Sequence, residues 1–141
     1  MSSSREEKFL IAISRLRNLM HRELENVFRK YDLTITQFSV LEVIKHKGPK
    51  SVGEIQEYVL GTSGNIPLVI KNLERDDLVL RVKPESDRRI SIITLTKKGK
   101  QIVDEAYEEQ KLMLKDLLKD IDENKIEVLT EKLFEVFNNL R

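Results

Sequence analysis

Apolar side chains recur at every third or fourth position over three long stretches of the chain, and this spacing predicts amphipathic helices. The first helix is predicted from Arg5 to about Lys30, with an apolar stripe made of Phe9, Ile13, Leu16, Met20, Leu24 and Val27. A long helix through Ile102 to Leu118 follows later in the chain, and Asp122 can cap a final helix after it. The protein is therefore predicted to be mainly α-helical.

Two shorter helices are predicted in the next part of the chain, because capping-box patterns precede two further apolar stretches. Thr34 is followed three residues later by Gln37, and Ser51 is followed in the same way by Glu54. In this pattern each of the two side chains bonds to the backbone N–H of the other residue, which satisfies free donors at a helix start. The two patterns predict helices that begin close to residues 35 and 52.

A turn containing Gly61 separates the second short helix from a third, which is predicted to run to about Asp76. Either Thr62 or Ser63 can cap this third helix. Pro67 removes a backbone donor near the helix start and disfavours helical angles at the preceding residue, so the helix is expected to begin late or bent. Two short helices joined by a glycine-containing turn are typical of a helix-turn-helix.

Two runs rich in β-branched residues follow, from Leu78 to Val82 and from Ile90 to Leu95, and a turn containing Pro84 joins them. This pattern predicts a small β-hairpin. A hairpin directly after a helix-turn-helix is a wing. The predicted fold class is therefore mainly α with a small β-hairpin, a winged helix-turn-helix with helical extensions on both sides.

Composition narrows the classes of function. The chain of 141 residues has no cysteine, which excludes disulfides, thiolate metal sites and cysteine redox switches. Its net charge is only +1, but residues 61–100 carry 9 basic and 5 acidic side chains, whereas residues 101–141 carry 6 and 11. A basic middle segment favours a surface that faces a polyanion, although charge alone leaves open an uneven but solvated surface.

The apolar runs of the chain are short. The run from Phe9 to Ile13 is far too short to span a bilayer. Glu6 and Glu7 precede this run, so the beginning of the sequence does not resemble a secretory signal. We therefore expect a cytoplasmic protein with no membrane partner.

Four segments of the sequence resemble successive segments of the MarR family of bacterial transcriptional regulators: LTITQFSVLEVI, SVGEIQEYV, TSGNIPLVIKNLERDDLVLRV and ESDRRISIITLTKKGK. The resemblance is close from Leu33 to Lys100 and limited to the apolar pattern outside that range. It implies a winged helix-turn-helix DNA-binding domain at residues 33–100, an N-terminal dimerisation helix at 1–32 and C-terminal dimerisation helices at 101–141. It also implies a homodimer on a pseudo-palindromic operator in double-stranded DNA, with repression the expected effect and activation left open.

The third short helix has a distinct exposed face. At 100° per residue, Val69, Ile70 and Leu73 fall on the same side as Ile66 and are predicted to be buried. Candidate DNA contacts lie at the helix start and on the opposite side; they are Thr62, Ser63, Gly64, Asn65, Pro67, Leu68 and Lys71.

These side chains suit different parts of a duplex. The amide of Asn65 can pair with base edges, and Leu68 or Pro67 can contact a thymine methyl group. Lys71 can neutralise a phosphate, and Ser63 can serve either as the helix cap or on a phosphate. For any one of these residues alone, an ordinary solvated helix face is the simpler explanation.

The turn of the predicted hairpin carries Asp87, Arg88 and Arg89. A wing beside a recognition helix reaches the adjacent minor groove, where narrow segments attract guanidinium groups. The resemblance assigns the minor-groove tip to Arg89, oriented by Asp87 through a charge-assisted bond, with Arg88 supporting the turn or a phosphate contact. The alternative is a surface ion pair between Asp87 and Arg88, which contributes only about 0–1 kcal/mol.

The outer helices carry more apolar surface than one small winged domain can cover, so part of it is expected to bury against a second copy of the chain. The candidates for this dimer interface are Phe9, Leu10, Ile13, Leu117, Ile121, Phe134, Phe137 and Leu140. For some of them, a place in the core of one subunit is the competing explanation.

The sequence has no P-loop, paired-glycine nucleotide motif or zinc-protease motif, so we expect neither an enzyme nor a cofactor. His21 and His46 are isolated and lack metal-ligand spacing, which makes a metal site an unfavoured alternative. The resemblance implies a small aromatic or phenolic effector, bound between the dimer helices and the winged domain. A helical dimer that acts as an interaction module without binding DNA is the main competing function, and a small-molecule-binding enzyme is a weaker one.

Overall fold

The computed structural model describes residues 3–59 and 65–141 and divides the chain into two compact units, Met1–Gln110 and Lys111–Arg141. The elements in chain order are α1 (Arg5–Arg29), α2 (Ile35–Lys47), β1 (Lys50–Ser51), α3 (Val52–Tyr58), α4 (Ile66–Arg75), β2 (Val79–Val82), β3 (Ile92–Leu95), α5 (Lys97–Leu117) and α6 (Glu123–Leu140). The first unit contains α1 to α4, the three strands and most of α5. The second contains the end of α5 and all of α6.

The helix starts follow local side-chain chemistry. The capping boxes predicted for α2 and α3 are confirmed, because Thr34 with Gln37 and Ser51 with Glu54 exchange both hydrogen bonds. Asp122 caps α6 as predicted, since its Oδ1 accepts from the backbone N–H groups of Asn124 and Lys125 at 2.8 and 3.3 Å. These caps satisfy donors that the first turn of a helix leaves unpaired.

The start of α4 corrects one prediction. The proposed caps Thr62 and Ser63 lie outside the described residues, and it is Asn65 that caps the helix, with its Oδ1 accepting from the Leu68 N–H at 3.4 Å. The expected late start is confirmed, because α4 begins at Ile66 and Pro67 occupies its second position. Proline is tolerated there since its missing N–H would have had no helical partner.

The predicted hairpin is confirmed as β2 and β3, and a third strand joins them. The strands are antiparallel in the order β1-β3-β2, with Val79 opposite Leu95 and Lys50 opposite Ile93. The two-residue strand β1 has no period-2 pattern from which it could have been predicted. It ties the connection between α2 and α3 to the wing.

The core of the first unit lies between its helices and the inner face of the sheet. Phe28 of α1 and Phe38 of α2 stack with ring centroids 4.0 Å apart. The side chains exposed by less than 2% include those of Val40, Leu41, Ile55, Ile70, Leu73, Val79, Ile93 and Val103, so every helix from α2 to α5 contributes to this core. Such burial contributes roughly 1.5–3 kcal/mol per large side chain.

The link between α4 and β2 is short and fixed by the backbone. Only Asp76, Asp77 and Leu78 separate the two elements. Asp77 adopts the left-handed conformation with φ of 60°, which aspartate tolerates better than most residues. The Leu78 N–H donates to the Leu73 carbonyl at 2.9 Å, which closes the end of the helix.

Most apolar residues of α6 in the second unit are exposed within the single chain. α6 contains no buried residue along its whole length. Its exposed apolar side chains are those of Val128, Leu129, Leu133, Phe134, Val136, Phe137 and Leu140. No helix in the described ranges is both long and apolar enough to cross a membrane.

Candidate nucleic-acid interface

The two faces of α4 differ sharply in exposure. Ile66, Ile70 and Leu73 are exposed by 2% or less, as predicted, whereas Val69 is half-buried. On the other face Pro67, Leu68 and Lys71 are exposed, and Leu68 alone leaves 52% of its surface open. The helix therefore presents an apolar side chain beside a cation, and side chains of these two kinds can contact a thymine methyl group and a phosphate in a major groove.

Asn65 lies at the beginning of this exposed face. Because its Oδ1 caps the helix, the side chain is held in one orientation rather than free to rotate. A carboxamide also carries two N–H donors, and the cap uses only the oxygen. Asn65 therefore combines a structural role with the capacity to donate to a base. The neighbouring candidates Thr62, Ser63 and Gly64 lie outside the described residues.

The turn between β2 and β3 holds an exposed arginine in a fixed position. Arg89 donates from Nε to Asp87 Oδ1 at 3.0 Å and from Nη2 to Oδ2 at 3.2 Å, and its backbone N–H also donates to Oδ1 at 3.0 Å. The Asp87 backbone N–H in turn donates to the Pro84 carbonyl at 3.3 Å. The ion pair thus forms with Arg89 and corrects the alternative pairing of Asp87 with Arg88, whose side chain is exposed.

The electrostatics of this turn follow from that geometry. The side-chain hydrogen bonds from Arg89, followed by the bond from its backbone N–H, lower the pKa of Asp87 below its ordinary value. Asp87 therefore remains charged at neutral pH. The Arg89 side chain is 90% exposed even though two of its donors are engaged. A two-bond contact of this kind fixes the plane of a guanidinium group and leaves its outer edge available.

A second arginine links the wing to α4. Arg81, in the middle of β2, donates from Nε and Nη2 to Oε1 of Glu74 in the last turn of α4, at 3.1 and 2.8 Å. The two side chains are only 29% and 32% exposed. This pair was not predicted from the sequence. A signal for it exists, because Arg81 follows Val79 by two residues and so points to the same, core-facing side of the strand, where a charge needs a partner.

Arg75 belongs to the exposed face of α4 but is engaged locally. Its guanidinium donates to Asp76 at 3.1 Å and to Asn72 at 3.4 Å. Its side chain remains 68% exposed. These contacts hold the group along the end of α4, and an exposed pair of this type contributes little to stability.

The residues proposed for a dimer contact are distributed over both units. In the first unit Phe9 and Leu10 are 50% and 64% exposed, and Ile13 is half-buried. In the second unit Leu117 is half-buried, and the remaining candidates are exposed by 41% to 80%; they are Ile121, Phe134, Phe137 and Leu140. The competing explanation, a place in the core of one chain, therefore fails for the exposed members of the set.

The two histidines lie in different surroundings. The His46 ring meets the Tyr107 ring edge-on, with centroids 5.0 Å apart. His21 lines an open cavity of about 400 Å³ together with Glu25, Arg29, Leu33, Thr34, Ile35 and Thr36. Within residues 3–59 and 65–141, no three histidine or carboxylate side chains are grouped so that they could hold a metal ion.

Comparison with known proteins places this geometry among regulators of transcription. Residues 23–106 match the family described as transcriptional regulator SarA/Rot. The chain is 28% identical over 134 residues to the HTH-type transcriptional regulator MhqR of Bacillus subtilis, covering 95% of this chain and 92% of that protein.

Solved structures share the fold. A MarR-like transcription regulator from Bacillus cereus has a TM-score of 0.86 at 22% identity, covering 96% of this chain and 98% of that one. The transcriptional regulator BldR from Sulfolobus solfataricus has a TM-score of 0.80 at 26% identity, covering 99% of both chains.

Proposed function

Because this chain belongs to the SarA/Rot family of MarR-type transcriptional regulators, we propose that it is a repressor that binds a pseudo-palindromic operator in duplex DNA as a homodimer. The observation that carries this proposal is the wing tip. There an almost fully exposed Arg89 is held in one orientation by Asp87. An exposed pair of this kind adds little to the stability of the fold, so its fixed geometry is better explained by a contact outside the protein.

In the proposed complex α4 enters the major groove. Asn65 donates to a base edge, Leu68 or Pro67 contacts a thymine methyl group, and Lys71 binds a phosphate. The sequence candidates Thr62, Ser63 and Gly64 complete this surface in the proposal. Support comes from the exposure of Pro67, Leu68 and Lys71 on the side of α4 opposite its buried stripe.

The wing enters the neighbouring minor groove in the same complex. Arg89 inserts its guanidinium group where the groove is narrow, and Arg88 contacts the adjacent backbone. Without a partner, the Asp87 carboxylate would be repelled by the phosphates of the DNA. Its pairing with Arg89 offsets this repulsion, since the pair as a whole carries no net charge.

A second copy of the chain would bury the exposed apolar residues of both units. The two-fold symmetry of such a dimer places two recognition helices roughly 34–36 Å apart, one turn of duplex DNA. The uncovered apolar surface of α6 supports this assembly, because contiguous apolar patches of this kind on a folded protein mark interaction surfaces.

Control by a small aromatic or phenolic effector is part of the proposal and rests on the family resemblance. Such a molecule acts by changing the separation of the two winged domains in the dimer. A coupling of about 1–3 kcal/mol, which corresponds to roughly a 5- to 150-fold change in affinity, is sufficient for a switch of this type. The proposed site of action is the cytoplasm, where the target DNA is found.

A mobility-shift titration tests the proposal. The probe is the duplex upstream of the chain's own gene, and the competitor is random-sequence duplex DNA. We expect preferential binding of the upstream duplex, with an affinity that falls steeply between about 50 and 200 mM salt. Light scattering on the same samples should give the mass of a dimer. Equal affinity for both duplexes at every salt concentration would favour a helical dimer that does not read DNA.

A further inference from the structure

The link between Glu74 and Arg81 joins the two elements that are proposed to read different grooves. We propose that this pair is a positioning device that fixes the wing relative to α4, so that the recognition helix and Arg89 engage their grooves at the same time. The inference rests on the proposed function and adds two residues that do not themselves contact a base. Arg81 acts through the direction of β2, and Glu74 acts through Arg81.

The location of Arg81 on its strand supports a positioning role. Arg81 shares the inner face of β2 with Val79, which is 1% exposed, and it pairs across the sheet with Ile93, which is fully buried. A guanidinium group on this face needs a partner, because an uncompensated charge against a core is costly. Glu74 supplies that partner with two short bonds to one carboxylate oxygen.

The backbone of the link fixes only the beginning of the wing. Leu78 is held to the end of α4 by its bond to the Leu73 carbonyl, and β2 begins with the next residue. Arg81 lies two residues beyond that start. Its pairing with Glu74 therefore adds a second anchor along the strand. With both contacts in place, the direction of β2 relative to α4 is fixed, whereas the first contact alone fixes only the position where the strand begins. Because Arg89 lies beyond the end of β2, a small change in the direction of the strand moves Arg89 by a larger distance.

The charge of Glu74 allows a decisive test. Glu74 follows Lys71 by three residues on the helix that is proposed to approach a polyanion. Coulomb repulsion alone predicts that removing this carboxylate strengthens DNA binding. The positioning role predicts the opposite, because the wing loses its second anchor. The two explanations therefore differ in sign.

The main experiment compares the wild-type protein with Glu74→Gln on a duplex selected from a random-sequence pool by the wild-type protein. Dimethyl sulfate footprinting is suited to this comparison, because it methylates guanine N7 in the major groove and adenine N3 in the minor groove. We expect Glu74→Gln to bind about three- to tenfold more weakly. Adenine protection beneath the wing should be lost, while guanine protection beneath α4 remains.

Two further variants keep the test valid if Glu74→Gln folds poorly. Glu74→Asp retains the charge but shortens the side chain, so we expect the same selective loss of adenine protection. Arg89→Ala should cost less affinity when it is introduced into either Glu74 variant than when it is introduced into the wild-type protein, because the tip contact has already been weakened.

A matched control separates positioning from general stability. Asp104→Asn removes an ion pair of comparable exposure, in which Asp104 of α5 binds Lys45 of α2 and Lys100. It should leave both footprints intact. If Glu74→Gln binds as tightly as the wild type or more tightly, or if protection falls equally in both grooves, the positioning role is wrong. If the wild-type protein selects no sequence from the pool, the proposed function itself fails.

Discussion

Gly99, in the first turn of α5, lies directly against the carbonyl group of Leu78 at the start of the wing. A Cβ atom at position 99 would overlap the Leu78 carbonyl oxygen and approach its carbonyl carbon. Thr96 completes the contact, because its hydroxyl donates to the Asp77 carbonyl at 2.6 Å and accepts from the Gly99 N–H at 2.9 Å. The wing and α5 therefore meet backbone to backbone at this point.

Gly99→Ala should lower the free energy of unfolding by about 1–3 kcal/mol, because either α5 or the link before β2 must move. Urea denaturation measures this loss. Gly53→Ala is the matched control, since an added Cβ in α3 would meet no described atom within 4 Å. That substitution should raise stability by about 0.5–1 kcal/mol through helix propensity. Equal effects of the two substitutions would mean that the contact with Leu78 is unimportant.

Arg89→Ala should weaken binding to the selected duplex by roughly tenfold or more, because it removes the proposed minor-groove contact. The melting temperature should hardly change, since the side chain is 90% exposed. Fluorescence anisotropy and thermal denaturation measure the two quantities. Arg5→Ala removes the same charge from another exposed ion pair and should have little effect on affinity. A comparable loss of stability and affinity in Arg89→Ala would identify the turn as structural.

Asn65 requires a variant that preserves its cap. Asn65→Ala should lose about 1 kcal/mol of stability and the proposed base contact at the same time, so this variant cannot separate the capping role from the DNA-binding role. Asn65→Ser keeps a capping oxygen but removes the amide donors, so we expect relaxed sequence preference with nearly unchanged stability. Binding to a panel of single-base operator variants provides the measurement. If the base preference of Asn65→Ser is the same as that of the wild-type protein, the only role of Asn65 is to cap α4.

Lys71→Ala should behave differently, because a phosphate contact carries no sequence information. We expect all duplexes to bind more weakly by a similar factor, and the slope of log affinity against log salt to fall by about one unit. A selective loss at one base pair would instead assign Lys71 to a base edge.

Phe134→Glu combined with Phe137→Glu should convert a dimer to a monomer. These side chains are 63% and 50% exposed on α6, and two carboxylates would be desolvated in an apolar interface. Sedimentation velocity measures the mass, and operator affinity should fall with it because one half-site contact is lost. Lys132→Glu, which changes a charged position of the same helix, is the control. If the double variant remains dimeric, α6 is not part of the dimer interface.

Tyr31 provides a prediction about alkaline pH. Its hydroxyl donates to Glu109 at 2.6 Å, and this bond is the largest cause that raises the pKa of Tyr31 to about 12 from an ordinary value of 10.0. The stabilisation is complete below pH 10 and is lost as pH rises toward 12, because the unfolded chain releases the proton first. Tyr31→Phe should cost about 1 kcal/mol at neutral pH, and urea denaturation should show this difference shrinking above pH 10. A difference that is constant across this range would exclude the bond as its source.

The sequence predicted those features that depend on neighbours along the chain. Thr34 and Ser51 marked helix starts because their partners lie three residues away, and the buried stripe of α4 followed from helical periodicity. The bond between Asp87 and Arg89, which the family resemblance implied, is likewise local, because the two residues are only two positions apart. Local spacing limits the geometry enough for the partner to be identified.

The features that were missed depend on contacts between elements or on competition between two local solutions. β1 consists of two residues whose strand conformation is imposed by β3, and Arg81 finds Glu74 only after α4 and the sheet pack together. The cap of α4 was assigned too early because serine and threonine are favoured caps, whereas Pro67 shifts the start so that Asn65 takes the position.

The three-residue link through Asp77 has a consequence for how such regulators diverge. Because so little chain separates α4 from β2, an insertion on either side of Asp77 would break the left-handed turn or displace the strand. We therefore expect α4 and the β2–β3 hairpin to be inherited together as one unit. In the proposed dimer, adaptation to targets with differently separated repeats must then arise in the outer helices. Changes of base preference, by contrast, are confined to the side chains that α4 and the hairpin carry.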